Sequence, residues 1–391
     1  IMKSTHLIVG CGLSGSVIAE RIANVWNENA LIIEKREHIG GNCYDYVDDQ
    51  TGIRMNKYGA HLFHTKDEGV WKYVQTFDKW TRWEHRVLSM VDGQFVPVPV
   101  NITTVNQVCG ENIEDTEEMD AWLSAVQYKG PIENSEDMAV SRVGRVLYEK
   151  MFKPYTVKQW NKGPEELDPS VLARIPIRRD FDVRYFSDKY QALPAKGYTH
   201  FFERLLDNPR IQVQTGVDFF KYKLEHDLGQ FKSIFYTGPI DQYFDGLKLE
   251  SLEYRSIDFH IERFSDMNYF QPCSVVNYPE TNVPFTRIVE YKHFLNQTSK
   301  HTVTVKETTN DHGDPYYPIP NKRNMELYEC YRQMAVKEEK EKNVHFVGRL
   351  ANYKYMNMDQ AIRNALDLFD RINISCVVGT DSCYNMNVPV H

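Results

Sequence analysis

The 391-residue chain has no run approaching the roughly 18 uncharged apolar residues of a membrane-spanning helix, so no membrane segment is expected. Paired cysteines are missing as well. The seven cysteines are scattered without a C-x-x-C spacing, which excludes a disulfide framework and predicts a reducing, cytoplasmic setting. Nor is there an excess of positive charge. Lys and Arg number 46 against 54 Asp and Glu, a formal net charge of −8, so neither nucleic acid nor an anionic membrane surface is an expected partner. An anionic ligand would need arginines aimed at it locally. Internal repeats and low-complexity tracts are also absent, and no secretory leader is expected, because Leu7-Ile8-Val9 runs directly into glycines.

What is present reads as a globular chain of more than one domain, rich in aromatics, with 24 tyrosines. Leu7-Ile8-Val9 predicts a buried strand. Val17, Ile18, Ile22, Val25 and Trp26 follow at helical spacing, and Leu31-Ile32-Ile33 predicts a second strand, completing a β-α-β unit. Residues 100–170 read as mostly helical, with a loop from Gly110 to Met119. Residues 210–310 are expected to be mainly strand, as in Ile211-Gln212-Val213 and Thr302-Val303-Thr304-Val305. Val344-His345-Phe346 predicts a further strand, and a helix is expected from Met358 to Ile372. The tail 374–391 has no period.

Gly10-x-Gly12-x-x-Gly15 lies between the first strand and its helix, the context of a dinucleotide fingerprint. The glycines make the turn, admit a pyrophosphate close to the backbone and let helix and strand pack. Glu34 ends the second strand, where a carboxylate accepts ribose hydroxyls. Gly40-Gly41-Asn42 then offers a second close backbone approach, which favours FAD over NAD. His61 and His64 are spaced like a metal pair but lack a third ligand, so no metal is expected.

Seven segments in order then resemble the flavin-dependent UDP-galactopyranose mutases of bacterial type, over nearly the whole chain. They are Tyr58-Gly59-Ala60-His61-Leu62-Phe63-His64-Thr65, Tyr155-Thr156-x-Lys158-Gln159-Trp160, Tyr185-Phe186-Ser187-Asp188, Gly238-Pro239-Ile240-Asp241, Val283-Pro284-Phe285-Thr286-Arg287, Asp314-Pro315-Tyr316-Tyr317-Pro318 and Gly348-Arg349-Leu350-Ala351-x-Tyr353-Lys354-Tyr355. The resemblance implies an α/β fold: an FAD-binding Rossmann-like domain (2–83, 196–243 and 317–373), an inserted helical domain (100–170) and an antiparallel sheet domain (84–99, 171–195 and 244–316). It also implies a homodimer.

The same resemblance assigns the site. Arg174 and Arg287 are expected on the substrate diphosphate, where guanidinium forks match phosphate oxygens, while Arg178 and Arg179 are expected to be structural. Tyr155, Thr156, Tyr185, Phe186, Asn277, Tyr317 and Tyr355 are expected around the substrate, and Trp160 beside its sugar and uridine. Gly10, Gly12, Ser14, Gly15, Glu34, Lys35, Gly41, Asn42, His61, Gly348, Arg349, Tyr355 and Met358 are expected at FAD, with His64 near the flavin ring as a catalytic residue. Arg349 would stabilise anionic reduced flavin.

The implied reaction interconverts UDP-galactopyranose and UDP-galactofuranose, for glycan synthesis, on FAD reduced by a cellular reductant. Flavin N5 displaces UDP from the anomeric carbon, the sugar opens and recloses, and UDP returns. His85, Met151, Pro154 and Asn357 depart from the family pattern around the sugar. A UDP-N-acetylgalactosamine mutase, an FAD oxidoreductase of amine-oxidase type and a non-catalytic nucleotide-sugar or FAD binder are the alternatives.

Overall fold

The structure is a computed structural model that describes residues 5–173, 176–247 and 249–381. The predicted β-α-β unit is its nucleus. His6–Val9 and Ala30–Ile33 pair in parallel, Leu7 opposite Leu31, within a five-stranded sheet. The order across that sheet is Ile211–Gln214, Ala30–Ile33, His6–Val9, Ser233–Tyr236 and Val344–Phe346, and every neighbouring pair is parallel. The three central strands are buried along their whole length, as their continuous apolar runs require. Because all five run the same way, Gly10, Glu34, Thr237 and Gly348 emerge at one edge, the carboxyl edge where ligands of open α/β sheets bind. The first helix, Leu13–Arg21, is covered by the last, Met358–Asp381, and Trp26 Nε1 donates to Asn373 Oδ1 at 2.8 Å.

Residues between 100 and 170 form helices, including Ile102–Cys109, Thr116–Val126, Ser135–Leu147 and Lys153–Trp160. The loop expected from Gly110 to Met119 is shorter. Asp115 caps Glu118 N–H at 2.9 Å and Glu117 and Glu118 occupy the positive first turn, so the helix starts at Thr116. A helix, Phe219–Glu225, also interrupts the region expected to be strand, because Asp218 accepts from Phe220 and Lys221 N–H. The final helix runs past its expected end at Ile372 to Asp381, and residues 382–391 of the tail lie outside the described residues.

The second large sheet has seven strands: Tyr317–Pro318, Tyr254–Phe264, Thr302–Asn310, Arg287–Glu290, Val275–Asn277, Val87–Val91 and Gln94–Val98. It is antiparallel except where Val275–Asn277 pairs in parallel with Val87–Val91. Tyr317–Pro318, expected with the FAD-binding segments, edges this sheet instead. Tyr190–Pro194 joins Phe63–Thr65 and Trp80–Arg82 in a separate three-stranded sheet, with His64 opposite Gln191. Among the described residues no helix is long and apolar enough to cross a membrane.

Candidate active site

Three turns distant in sequence meet at the start of the first helix. A Cβ on Gly41, at φ +54°, would lie 2.8 Å from Gly12 Cα, and one on Gly348, at φ +104°, would lie 2.8 Å from Ser14 Oγ. Gly15 presses so closely on the Gly10 carbonyl that a Cβ would sit 2.0 Å from its oxygen. No side chain caps the helix at Gly12, so its first N–H groups face this cradle. Bare backbone, uncapped donors and the dipole of a helix N-terminus suit a pyrophosphate.

Glu34 accepts from Cys11 N–H and Arg36 N–H, both at 2.8 Å, and ties the first turn to the second. Its oxygens keep further acceptor capacity for hydroxyls. Asn42 accepts from Arg36 Nη1 at 2.9 Å, and the Arg36 guanidinium lies 3.9 Å above the Tyr58 ring. Lys35 is exposed beside them.

Beyond the cradle stands Arg349. Its Nη2 donates to Met356 O at 2.5 Å, and its guanidinium lies 4.9 Å from the Tyr317 ring and 5.3 Å from Tyr355. Those two rings stack at 5.6 Å. His61 lies within the field of both Arg349 and Arg287. Burial above all, then those cations, push its pKa down to about 4. The ring is therefore neutral, and because its Nδ1 faces the Gly59 carbonyl at 2.8 Å, Nδ1 carries the proton and Nε2 is left an acceptor.

Arg287 opens the strand Arg287–Glu290, directly across from Glu307. Its Nε and Nη2 both donate to the Glu307 carboxylate, which is 3% exposed against 27% for the arginine side chain. Burial works against the arginine's charge, but Glu307 outweighs it and holds the guanidinium protonated. Tyr155, Tyr185 and Tyr317 all lie within the field of Arg287, and Tyr355 within that of Tyr185 and Tyr317. Burial raises the pKa of Tyr155, Tyr185 and Tyr317, so those hydroxyls stay protonated and can donate. Trp160, buried, packs with Leu167 and Ile319 against Tyr317 and Tyr355.

His64 Nδ1 bonds to Asp188, and its ring stacks on Phe186 at 3.6 Å and 13°. The histidine holds the Asp188 carboxyl below the usual carboxylate range. A cavity of about 540 Å³ also borders Trp160, but Asp241, Asp245, Glu253, Asp311 and Asp314 line it against Lys162. Such a lining repels a diphosphate, whereas the wall of tyrosines around Arg287 suits one.

The sequence profile of the UDP-galactopyranose mutase family matches residues 150–355, and an NAD(P)-binding Rossmann-like profile matches 8–77. The chain is 37% identical over 390 residues to a probable UDP-galactopyranose mutase of Klebsiella pneumoniae, covering 98% of both chains. The chain belongs to the UDP-galactopyranose mutase family. The enzyme, an isomerase, is also 36% identical over 368 residues to a dTDP-fucopyranose mutase of Escherichia coli, covering 92% of this chain and 96% of that one. A solved structure of reduced UDP-galactopyranose mutase superposes with TM-score 0.74 at 16% identity, covering 95% and 94% of the two chains. A second solved structure, from Exiguobacterium sp. 255-15, superposes at TM-score 0.67 and 13% identity, covering 96% of this chain and 100% of that one, a likeness of fold alone.

Within this mutase-family frame the residues expected at the site fall into two groups. Gly10, Gly12, Ser14, Gly15, Glu34, Gly41, Asn42 and Gly348 gather at the cradle, and Tyr155, Tyr185, Arg287, Tyr317 and Tyr355 gather at the tyrosine wall. Thr156 is buried on the same helix as Tyr155 and Trp160, Asn277 pairs across from Arg287, and Met358 opens the last helix. Arg174 lies outside the described residues. Arg178 is structural, its Nη2 donating to the carbonyls of Arg184 and Phe186 at 2.8 Å each. Sequence reasoning missed Glu307 as the partner of Arg287. It quoted Asp188 within a motif without seeing that it orients His64, although an aspartate beside Tyr185-Phe186 was itself a signal.

Proposed function

We propose that this enzyme interconverts UDP-galactopyranose and UDP-galactofuranose with FAD in its reduced form, and so supplies galactofuranose for glycan synthesis. The observation that carries this reading is the wall of half-buried tyrosines around Arg287, which reaches Arg349 through Tyr317 and Tyr355. The cradle fits the pyrophosphate of a dinucleotide, with Glu34 as the ribose acceptor. A reduced flavin held by this cradle would supply an electron-rich nucleophile beside the sugar.

The chain's own residues do the rest. Arg287, with Arg174 in the same role, stabilises charge gathering on the departing UDP, and the tyrosine hydroxyls donate to it without adding charge. Trp160 offers an apolar face against which sugar and base pack. His64, fixed by Asp188 and Phe186, reaches Tyr185 through the Phe186 ring.

The near-equal identity to the dTDP-fucopyranose mutase favours a second reading, a 6-deoxyhexose carried on dTDP. The test is to incubate flavin-loaded protein with UDP-galactofuranose or dTDP-fucofuranose, with and without dithionite, and to separate the products by chromatography. Conversion of the UDP sugar only after reduction supports the first reading. Conversion of the dTDP sugar alone supports the second, and conversion of neither by fully reduced protein refutes both.

A further inference from the structure

The helix Lys153–Trp160 carries both Tyr155 and Trp160, yet its own start does little to hold it in place. It is eight residues long, too short to be stable alone, it follows a wide π-helical turn at Tyr148–Phe152, and no side chain caps its beginning. Its other end is bound differently. The chain leaves through Asn161 at φ 52°, whose N–H reaches Val157 O at 2.9 Å, while the carbonyls of Lys158 and Gln159 need partners from outside the helix.

Arg255, buried near the start of the strand Tyr254–Phe264, supplies them. Its Nε donates to Gln159 O at 2.7 Å, Nη2 to Lys158 O at 3.4 Å and Nη1 to Asp311. Asp311 also accepts from Asn161 Nδ2 at 2.9 Å, so the cluster closes on the residue after Trp160. In the sheet Arg255 stands directly opposite Tyr317, and its own carbonyl accepts from Tyr316 N–H at 2.9 Å. One residue therefore joins the helix of Tyr155 and Trp160 to the strand of Tyr317.

A buried guanidinium is a poor device for stability alone, because well-packed apolar residues of similar volume often do as well. What it gives is direction. Its rigid fork can hold two carbonyls and a carboxylate at once, which a compact ammonium on a flexible stem cannot. Positive charge at a helix C-terminus also complements the dipole. A second tie, from Lys158 Nζ to the carbonyls of Tyr278 and Glu280 at 2.5 and 3.0 Å, fixes the same turn of helix to the segment that leads to Arg287.

We propose that Arg255 is a positioning residue for the mutase reaction, setting Tyr155 and Trp160 against Tyr317 by clamping the last turn of their helix to the sheet. It acts through that helix and not on the substrate. The proposal rests on the nucleotide-sugar reading of the site.

The experiment is a double-mutant cycle on reduced, flavin-loaded protein, with kcat/KM for UDP-galactofuranose as the readout. Arg255→Met is made in the wild type and in Trp160→Ala, and Arg263→Met serves as the control. Arg263 lies on the same strand and pairs with Asp48, away from the helix. Arg255→Met is expected to lower kcat/KM by roughly ten- to a hundredfold, the effect of a small misplacement. In the Trp160→Ala background the loss should be at least about threefold smaller, since part of what the arginine positions is gone. Arg263→Met should lower the melting temperature and change kcat/KM by less than about twofold. Flavin content and melting temperature report whether each variant is folded. Should Arg255→Met fail to fold, the cycle is run with Arg255→Lys, which keeps the cation but cannot reach Gln159, Lys158 and Asp311 together. No loss, a loss of equal size in both backgrounds, or a matching loss in Arg263→Met would overturn the proposal while leaving the nucleotide-sugar reading intact. A wild type that converts neither UDP-galactofuranose nor dTDP-fucofuranose would instead remove that reading, and this proposal with it.

Discussion

Replacing Glu307 by Gln should separate what the Arg287 pair does for the fold from what it does for substrate. The substitution keeps the shape and removes the charge. Breaking a buried ion pair by deleting one partner costs about 3–5 kcal/mol, whereas an exposed pair is worth about 0–1 kcal/mol. Here the carboxylate is 3% exposed and the arginine 27%, so the cost falls between, at about 2–3 kcal/mol. With an unfolding entropy of about 2 cal/mol/K per residue, a chain of this length should lose roughly 3 °C in melting temperature.

The informative measurement is the same melt with saturating UDP. If Arg287 receives the diphosphate, phosphate oxygens take the place of the missing carboxylate, and the gap between variant and wild type should shrink or close. Differential scanning fluorimetry on flavin-loaded protein, with and without UDP, reads this directly. A gap of the same size in both conditions would show that the diphosphate does not sit at Arg287. No gap at all would show that the pair contributes nothing to the fold.

Three further outcomes are expected. Gly41→Ala places a Cβ against the Gly12 backbone at a left-handed φ, so the protein should purify with little bound flavin, checked by its absorbance near 450 nm. Arg287→Ala, and equally Arg174→Ala, should lower kcat/KM on the UDP sugar by about two to three orders of magnitude while flavin content stays unchanged. His85 has its folded pKa depressed to about 3, so it adds stability above its ordinary value near 6.5 that is lost as pH falls toward 3. In urea titrations the stability of the wild type should therefore fall about 1.4 kcal/mol per pH unit more steeply than that of His85→Asn below pH 6.5, and parallel slopes would contradict this.

The dinucleotide unit was legible because its signals are local. A short apolar run, three spaced glycines and one acid lie within about thirty residues, and each has a backbone reason to be where it is. The tyrosine wall around Arg287 was expected only through resemblance, since a lone tyrosine carries no sign of its neighbours. Tyr155, Tyr185, Arg287 and Tyr317 come from a helix, a loop and two strands, and only the tertiary fold brings them together. Glu307 was invisible for the same reason. Its pairing with Arg287 is set by an antiparallel ladder with no signature in the spacing of the two residues. The helices at Thr116 and Phe219 were misjudged for a different reason, because an aspartate cap at Asp115 or Asp218 outweighs the loop or strand character of the residues after it.

The two halves of the site join at Gly59. Its φ of +90° belongs to glycine, and a Cβ there would meet Glu307 Oε1 at 3.1 Å and Arg287 Nη2 at 3.8 Å. Its carbonyl at the same time receives the proton of His61 Nδ1, whose ring lies in the field of Arg349 near the cradle. One residue without a side chain thus touches the pair that would hold the diphosphate and fixes the tautomer of a group beside the cofactor cradle. That arrangement would let a chain of net charge −8 host a nucleotide sugar next to a dinucleotide. The two guanidinium groups are anchored separately, Arg287 by a carboxylate and Arg349 by carbonyls, and both act on the neutral imidazole of His61. A charged histidine at position 61 would repel both arginines, so burial of that ring, by keeping it neutral, spares each cation a like charge beside it.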